Sequence, residues 1–254
     1  MLVVLSPSKT QDFSADAASY SHSQPVFAEE SEKLVKILRK KSENSLGKLM
    51  DISQNLAELN HERFQNWQLP FNEKNSLQAL RAFKGDVYTN IRVDEYSKKD
   101  FEFAQDHIRI LSGLYGILKP MDLIQPYRLE MKTPLSNTRG KDLYAFWGER
   151  LAKDLAAELE QHDNPVLVNL ASQEYFKALK LKKTSIKVVT PHFKEDRDGK
   201  LRVIALFAKK ARGAMADYVV RERLTEPSGL AGFDYEGYAF REDLSDEENL
   251  IFVR

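Results

Sequence analysis

Residues 111–131, LSGLYGILKPMDLIQPYRLEM, carry two glycines three apart, Gly113 and Gly116, and two prolines, Pro120 and Pro126. Glycine permits a tight turn or a close backbone approach, and proline interrupts regular hydrogen bonding. No single helix or strand runs through such a stretch. The chain must turn here and then extend, and Tyr127, Arg128 and Glu130 arrive together in the extended part. Arginine is the side chain best suited to grip phosphate or carboxylate, so the segment is the first candidate for chemistry.

Upstream, Ser97 and Asp100 form a capping-box start. Phe101, Ala104, Ile108 and Leu111 then share one helical face, which is expected to end at Gly113. Further helical patterns fall at 27–41, 45–50, 53–67 and 73–83. Another runs from Gly140 to about Gln161, with Leu143, Trp147, Leu151 and Leu155 four apart. Leu2–Leu5 reads as an apolar strand ended by Ser6-Pro7, and 10–26 as an exposed loop. Strand patterns follow at 166–170, 186–193, 201–208 and 250–253, with a hairpin at Asp198-Gly199, and 209–224 reads as a helix. No repeat or low-complexity linker divides the chain. The expected fold is one domain over residues 1–254, α/β or mixed α+β, with a mixed sheet flanked by helices.

Hydrophobic content of 42% and charged content of 30% are ordinary for a globular protein. The absence of cysteine removes disulfides and thiolate metal sites and fits a reducing compartment. The N-terminus has no basic lead-in for a signal peptide, and no apolar run approaches the roughly 20 residues that span a bilayer. The expectation is a cytoplasmic monomer with no membrane partner. A formal net charge of zero hides an asymmetry. Residues 175–212 hold twelve Lys/Arg against three acids, whereas 234–248 hold seven acids and one arginine. A basic surface of that kind suits a polyanion, although a solvated lysine-rich face would look the same.

Four further motifs carry candidate residues. Ser6-Pro7-Ser8-Lys9-Thr10 follows a strand directly, where Lys9 and hydroxyls could meet an anion, but it lacks the glycines of a P-loop. Phe83-Lys84-Gly85-Asp86-Val87-Tyr88 closes a helix and is expected to expose Asp86 and Tyr88. In NLASQEYF, Ser172 reads as an N-cap and Glu174 lies in the first turn. In FAKKARG, Lys209, Lys210 and Arg212 sit where a strand hands over to a helix. Cations there oppose the helix dipole, so a bound anion would explain them. The five histidines (22, 61, 107, 162 and 192) show no metal spacing, and no cofactor fingerprint is present.

Together, SPSKT, FKGDVY, LSGLYGILKPMDLIQPYRLEM, RGKDLYAFWG, NLASQEYF and FAKKARGAMADY resemble the bacterial YaaA peroxide-stress protein family over nearly the whole chain. The resemblance implies a protein of the peroxide response that limits free iron and oxidative DNA damage. It also implies a family-specific α/β fold with a positively charged cleft and a helix-hairpin-helix element binding double-stranded or structured DNA. Carried onto this sequence, that element centres on Gly113, Leu114, Tyr115 and Gly116, whose amides would hold a phosphate. The usual hairpin reads Gly-x-Gly, whereas here the glycines are three apart.

The leading expectation is therefore a DNA-binding stress protein, with Lys9, Lys119, Arg128, Lys209, Lys210 and Arg212 on phosphates. The alternative is an enzyme acting on a nucleotide or nucleic-acid base in the same cleft. Its candidate catalytic groups are Asp86, Tyr127, Glu130 and Glu174, because carboxylates beside cations are how a site tunes proton transfer. A third reading, direct iron binding, has no Glu-x-x-His pair or histidine cluster behind it.

Overall fold

An unbroken apolar run suits a strand covered on both faces, and β1 (Leu2–Leu5) is that strand, with every residue buried. The computed structural model describes residues 1–17 and 21–254. After β1 come β2 (Thr10–Gln11), α1 (Ala28–Leu38), α2 (Glu43–Met50) and α3 (Gln54–Asn66). Then follow β3 (Leu77–Gln78), α4 (Ala79–Ala82), β4 (Phe83–Lys84) and α5 (Lys98–His107). The middle holds β5 (Ile108–Ser112), β6 (Gly116–Leu118), β7 (Leu123–Ile124), α6 (Leu143–Trp147) and α7 (Arg150–Leu159). The chain closes with β8 (Val166–Asn169), α8 (Gln173–Phe176), β9 (Lys187–Arg197), β10 (Lys200–Arg202), α9 (Ala205–Arg221), β11 (Ala239–Phe240) and β12 (Asn249–Val253).

The result is a mixed α/β fold whose main sheet has eight strands in the order β11-β12-β9-β8-β1-β5-β6, with β10 on β9. β1 pairs in parallel with β5 and β8, and β9 in parallel with β8 and β12. From β1 the chain moves to β5 on one side, and from β8 it moves to β9 on the other. The order reverses between β1 and β8. In open α/β sheets, the crevice beyond the carboxyl ends at such a reversal is where ligands bind.

Several elements differ from the sequence patterns for identifiable reasons. The capping box at Ser97 and Asp100 forms, but α5 ends at His107 and residues 108–112 become β5. Arg109 disguises this strand by interrupting its apolar run. It is nonetheless 1% exposed, because Glu158 accepts from its Nε at 2.6 Å. The helix expected at 73–83 breaks into β3, a single turn and β4, since β3 pairs with β7 and β4 with β2. Gly148, at φ 59°, divides the helix expected after Gly140. The loop expected at 10–26 contains β2 and a buried Ala17, and its residues 18–20 lie outside the described ones. The hairpin at Asp198-Gly199 forms, with both residues at positive φ, but its second strand stops at Arg202 and α9 begins at Ala205. Lys209, Lys210 and Arg212 thus lie inside a helix, and the argument from its dipole does not apply to them.

The helix-hairpin-helix expected at residues 113–116 is overturned. β5 and β6 flank this turn as an antiparallel pair, with Ser112 opposite Gly116. Leu114 and Tyr115 are fully buried, and their amides donate to Ser112 Oγ at 3.2 and 3.0 Å. A Cβ on Gly113 would stand 2.2 Å from the Leu129 carbonyl oxygen. Glycine here serves close packing of the 127–131 segment and offers nothing to a phosphate.

A similar close approach fixes α9. A Cβ on Gly213 would lie 1.7 Å from the Val87 carbonyl oxygen, so only glycine lets the helix rest on the loop after β4. Gly213→Ala should therefore destabilise the fold by at least about 2–3 kcal/mol, measured as a fall in the denaturation midpoint.

Candidate functional site at the carboxyl ends of β1 and β8

β1 and β8 deliver two loops to the reversal point, and hydrogen bonds join them. The Ser172 amide donates to Ser6 Oγ at 2.8 Å, and the Leu170 amide to the Val4 carbonyl at 3.0 Å. The loop after β4 closes over the same place. Its Tyr88 hydroxyl donates to the Ser6 carbonyl at 2.8 Å, and Thr10 pairs with Lys84 across β2 and β4. Gly85, at φ 98°, comes so near Ser8 that a Cβ would stand 3.1 Å from its Oγ. Tyr88 is 5% exposed, which corrects the expectation that it faces solvent. The 127–131 segment forms the third wall: the Tyr127 amide donates to Gln11 Oε1 at 3.1 Å, and its hydroxyl lies 2.7 Å from Ser112 Oγ.

Glu130 sits among these walls, 9% exposed. Lys9 Nζ approaches it at 2.9 Å, Arg128 at 3.5 Å and Lys132 at 3.6 Å. One carboxylate thus answers three cations. Arg128 also keeps a buried Nε without a hydrogen-bond partner among the described residues. Glu174 is tied in through its Oε1, which accepts from the Lys132 amide at 3.1 Å. The Tyr175 phenol lies within electrostatic reach of the carboxylate, and Tyr127 bears on both Tyr175 and Tyr88. Burial pushes all three phenols well above the usual phenol range, and Glu130 raises Tyr175 further. All three phenols are held neutral.

On a neighbouring wall, Lys209 reaches Asp86 at 3.5 Å, and both side chains are about half exposed. Arg212 lies one turn further along α9, with a buried Nε that has no partner among the described residues. Burial alone lowers its pKa from the ordinary arginine value.

The structure therefore brings together Lys9, Tyr127, Arg128, Glu130 and Glu174, with the Asp86–Lys209 pair on the adjoining loop and α9 and Arg212 one turn beyond Lys209. It leaves out Lys119, which pairs with Glu158 at 2.7 Å at the far end of β6. Lys210 is also set apart, its charge bearing on Glu236 of the acidic tail. Sequence reasoning missed Lys132 and Tyr175 as members of the site. Tyr175 lay in a block whose other residues stood out, whereas Lys132 falls one residue beyond the 111–131 block and carried no signal of its own. No group of three or more His, Asp or Glu suited to a metal ion occurs among the described residues.

Removing the single carboxylate tests this arrangement. Glu130→Gln leaves Lys9, Arg128 and Lys132 facing one another and should cost about 1–3 kcal/mol of stability, read by denaturant unfolding. It should at the same time strengthen binding of an anion, because the competing charge is gone.

A family model described as "Peroxide stress protein YaaA" matches residues 1–244, a span that contains every residue of this crevice, and the chain belongs to that family.

Proposed function

We propose that the protein binds DNA in the peroxide-stress response, holding backbone phosphates with the cations at the carboxyl ends of β1 and β8, and through that binding limits oxidative damage linked to free iron. The observation that carries this reading is the surplus of positive charge around Glu130. Lys9, Arg128 and Lys132 share one carboxylate, while Arg128 and Arg212 hold buried donors with no partner among the described residues. Unpaired cationic donors are costly to bury, and a phosphate would satisfy them. No described helix is long and apolar enough to cross a membrane, so nothing here favours a bilayer as the polyanion.

In this reading, the short connection between α2 and α3 is a second candidate for contact with the DNA backbone. Only Asp51, Ile52 and Ser53 join these helices, with Asp51 at φ 53°. The Ser53 side chain makes no cap hydrogen bond, so the first amides of α3 stay open to solvent or to a phosphate.

If about four phosphates are contacted, log affinity should fall against log salt with a slope near −4. Lys9→Gln and Lys132→Gln should each weaken binding to any duplex sequence and reduce that slope by about one. Fluorescence anisotropy across a salt series measures both, and affinity indifferent to salt would sink the reading.

A second reading, catalysis on an extruded base or nucleotide, is favoured by the buried Glu130 within electrostatic reach of the neutral Tyr175 phenol. Its test is release of free base from modified DNA, abolished by Glu130→Gln in a variant that still folds. Product formation unaffected by that substitution would remove Glu130 as the proton carrier.

A further inference from the structure

Beside the crevice lies a cavity of about 500 Å³ between α3 and residues 125–126. It falls within the roughly 300–1,000 Å³ usual for small-molecule sites. Arg63 of α3 lines it, and among the described residues this guanidinium has no ion-pair or side-chain hydrogen-bond partner. Burial lowers its pKa from the ordinary arginine value, and the charge of Arg128 lowers it further. Two arginines therefore stand within electrostatic reach of each other. Arg63 has no carboxylate of its own, and Arg128 has only a 3.5 Å contact to the shared Glu130. Arg63 lines the cavity and Arg128 follows the lining Pro126 by two residues, so positive charge gathers on this side with no carboxylate set against Arg63, which an anion would relieve.

The remaining walls say what that anion carries. Phe13, Leu59 and Pro126 supply apolar and aromatic surface, more than an inorganic ion needs. Gln11 keeps its Nε2 free while its Oε1 accepts from Tyr127, and the exposed Asn66 amide has no side-chain partner among the described residues. Two acids also reach the rim. Asp12 spends one oxygen on the Ser14 amide at 2.9 Å, and exposed Glu62 is left to accept from hydroxyl or amino groups. An aromatic wall, side-chain amides, carboxylate acceptors and an arginine without a carboxylate partner together match a base, a sugar and a phosphate.

We infer that this cavity is a nucleotide subsite, in which the phosphate meets Arg63 and the base lies against Phe13, Leu59 and Pro126. The inference rests on the nucleic-acid reading of the adjoining crevice, which it extends: one nucleotide, free or as a unit of a strand, leaves the backbone track and enters a pocket. Arg63 is then retained against the stability of the empty protein, as binding groups often are.

Calorimetric titration of the full chain with AMP, adenosine, inorganic phosphate and a single-stranded oligothymidylate tests the inference. AMP, the oligonucleotide or both should bind at least tenfold tighter than adenosine and inorganic phosphate. Binding of AMP identifies a free nucleotide, and binding of the oligonucleotide alone identifies a unit of a strand. Arg63→Gln should weaken that binding about tenfold or more while leaving the melting temperature unchanged or higher, because a repulsion has been removed. Should Arg63→Gln misfold, Arg63→Lys keeps the charge and the fold but loses the planar fork, and should still lose most of the affinity. If neither AMP nor the oligonucleotide outbinds adenosine, or if neither Arg63 variant changes affinity, the subsite is overturned. Lys9→Gln and Lys132→Gln separate the two readings. If they weaken duplex binding while Arg63→Gln has no effect on any probe, the subsite alone falls. If they leave duplex binding intact, the crevice reading falls as well.

Discussion

β1 has parallel neighbours on both sides, and both of its faces are covered, so its carboxyl end can open only into the crevice between β1 and β8. The walls of the site are attached to that end. Ser6 binds the β8 loop through its hydroxyl and the β4 loop through its carbonyl. The β4 loop in turn is pinned under α9 by the approach of Gly213 to Val87. The site is therefore assembled from backbone constraints before any charged side chain is considered. Its side chains sit on rigid supports, which is what precise placement of charge requires.

Charge is distributed unevenly over this scaffold. Away from the crevice, several shielded cations have close acidic partners: Arg109 and Lys119 share Glu158, Arg254 has Glu195 and Glu236, and Arg92 and Arg221 share Asp217. At the crevice the balance tilts further toward positive charge. One glutamate answers three cations, and Arg63, Arg128 and Arg212 keep unmet donors. A fold selected for stability alone would pair or remove them, and this shortfall of negative charge is what supports the proposed anion binding.

Much of the architecture was legible in the residues. β1, α1, α2, α3, the Ser97 capping box, β8, β9, β12 and the Asp198-Gly199 hairpin lie where periodicity, capping and turn chemistry put them. Two of the failures share one cause, which is pairing with distant strands. Ile108, Ile110 and Leu111 fit a helical face as well as a strand, and Arg109 in their midst reads as solvent-exposed until Glu158, 49 residues away, is seen to hold it. The four-residue α4 and its flanking strands fail similarly, because partners at residues 10–11 and 123–124 override local preference.

By itself, the sequence determined which segments matter: four of the blocks that carry the family resemblance, SPSKT, FKGDVY, the 127–131 part of the long block and NLASQEYF, meet at the crevice. It also determined that 127–131 would be extended and that glycine was required nearby. Only the tertiary structure decided what those residues do. It buried the Gly113–Gly116 turn, so the expected phosphate grip there was lost, and it sent Lys119 to the opposite end of its strand. It brought Lys9, Arg128, Glu130, Lys132 and Arg63 near one another from three separate parts of the chain. Periodicity and motif spacing report which face of a local element a residue occupies. Electrostatics depends on distances through space, and the strand order that sets those distances is settled by hydrogen bonding between segments far apart in the chain.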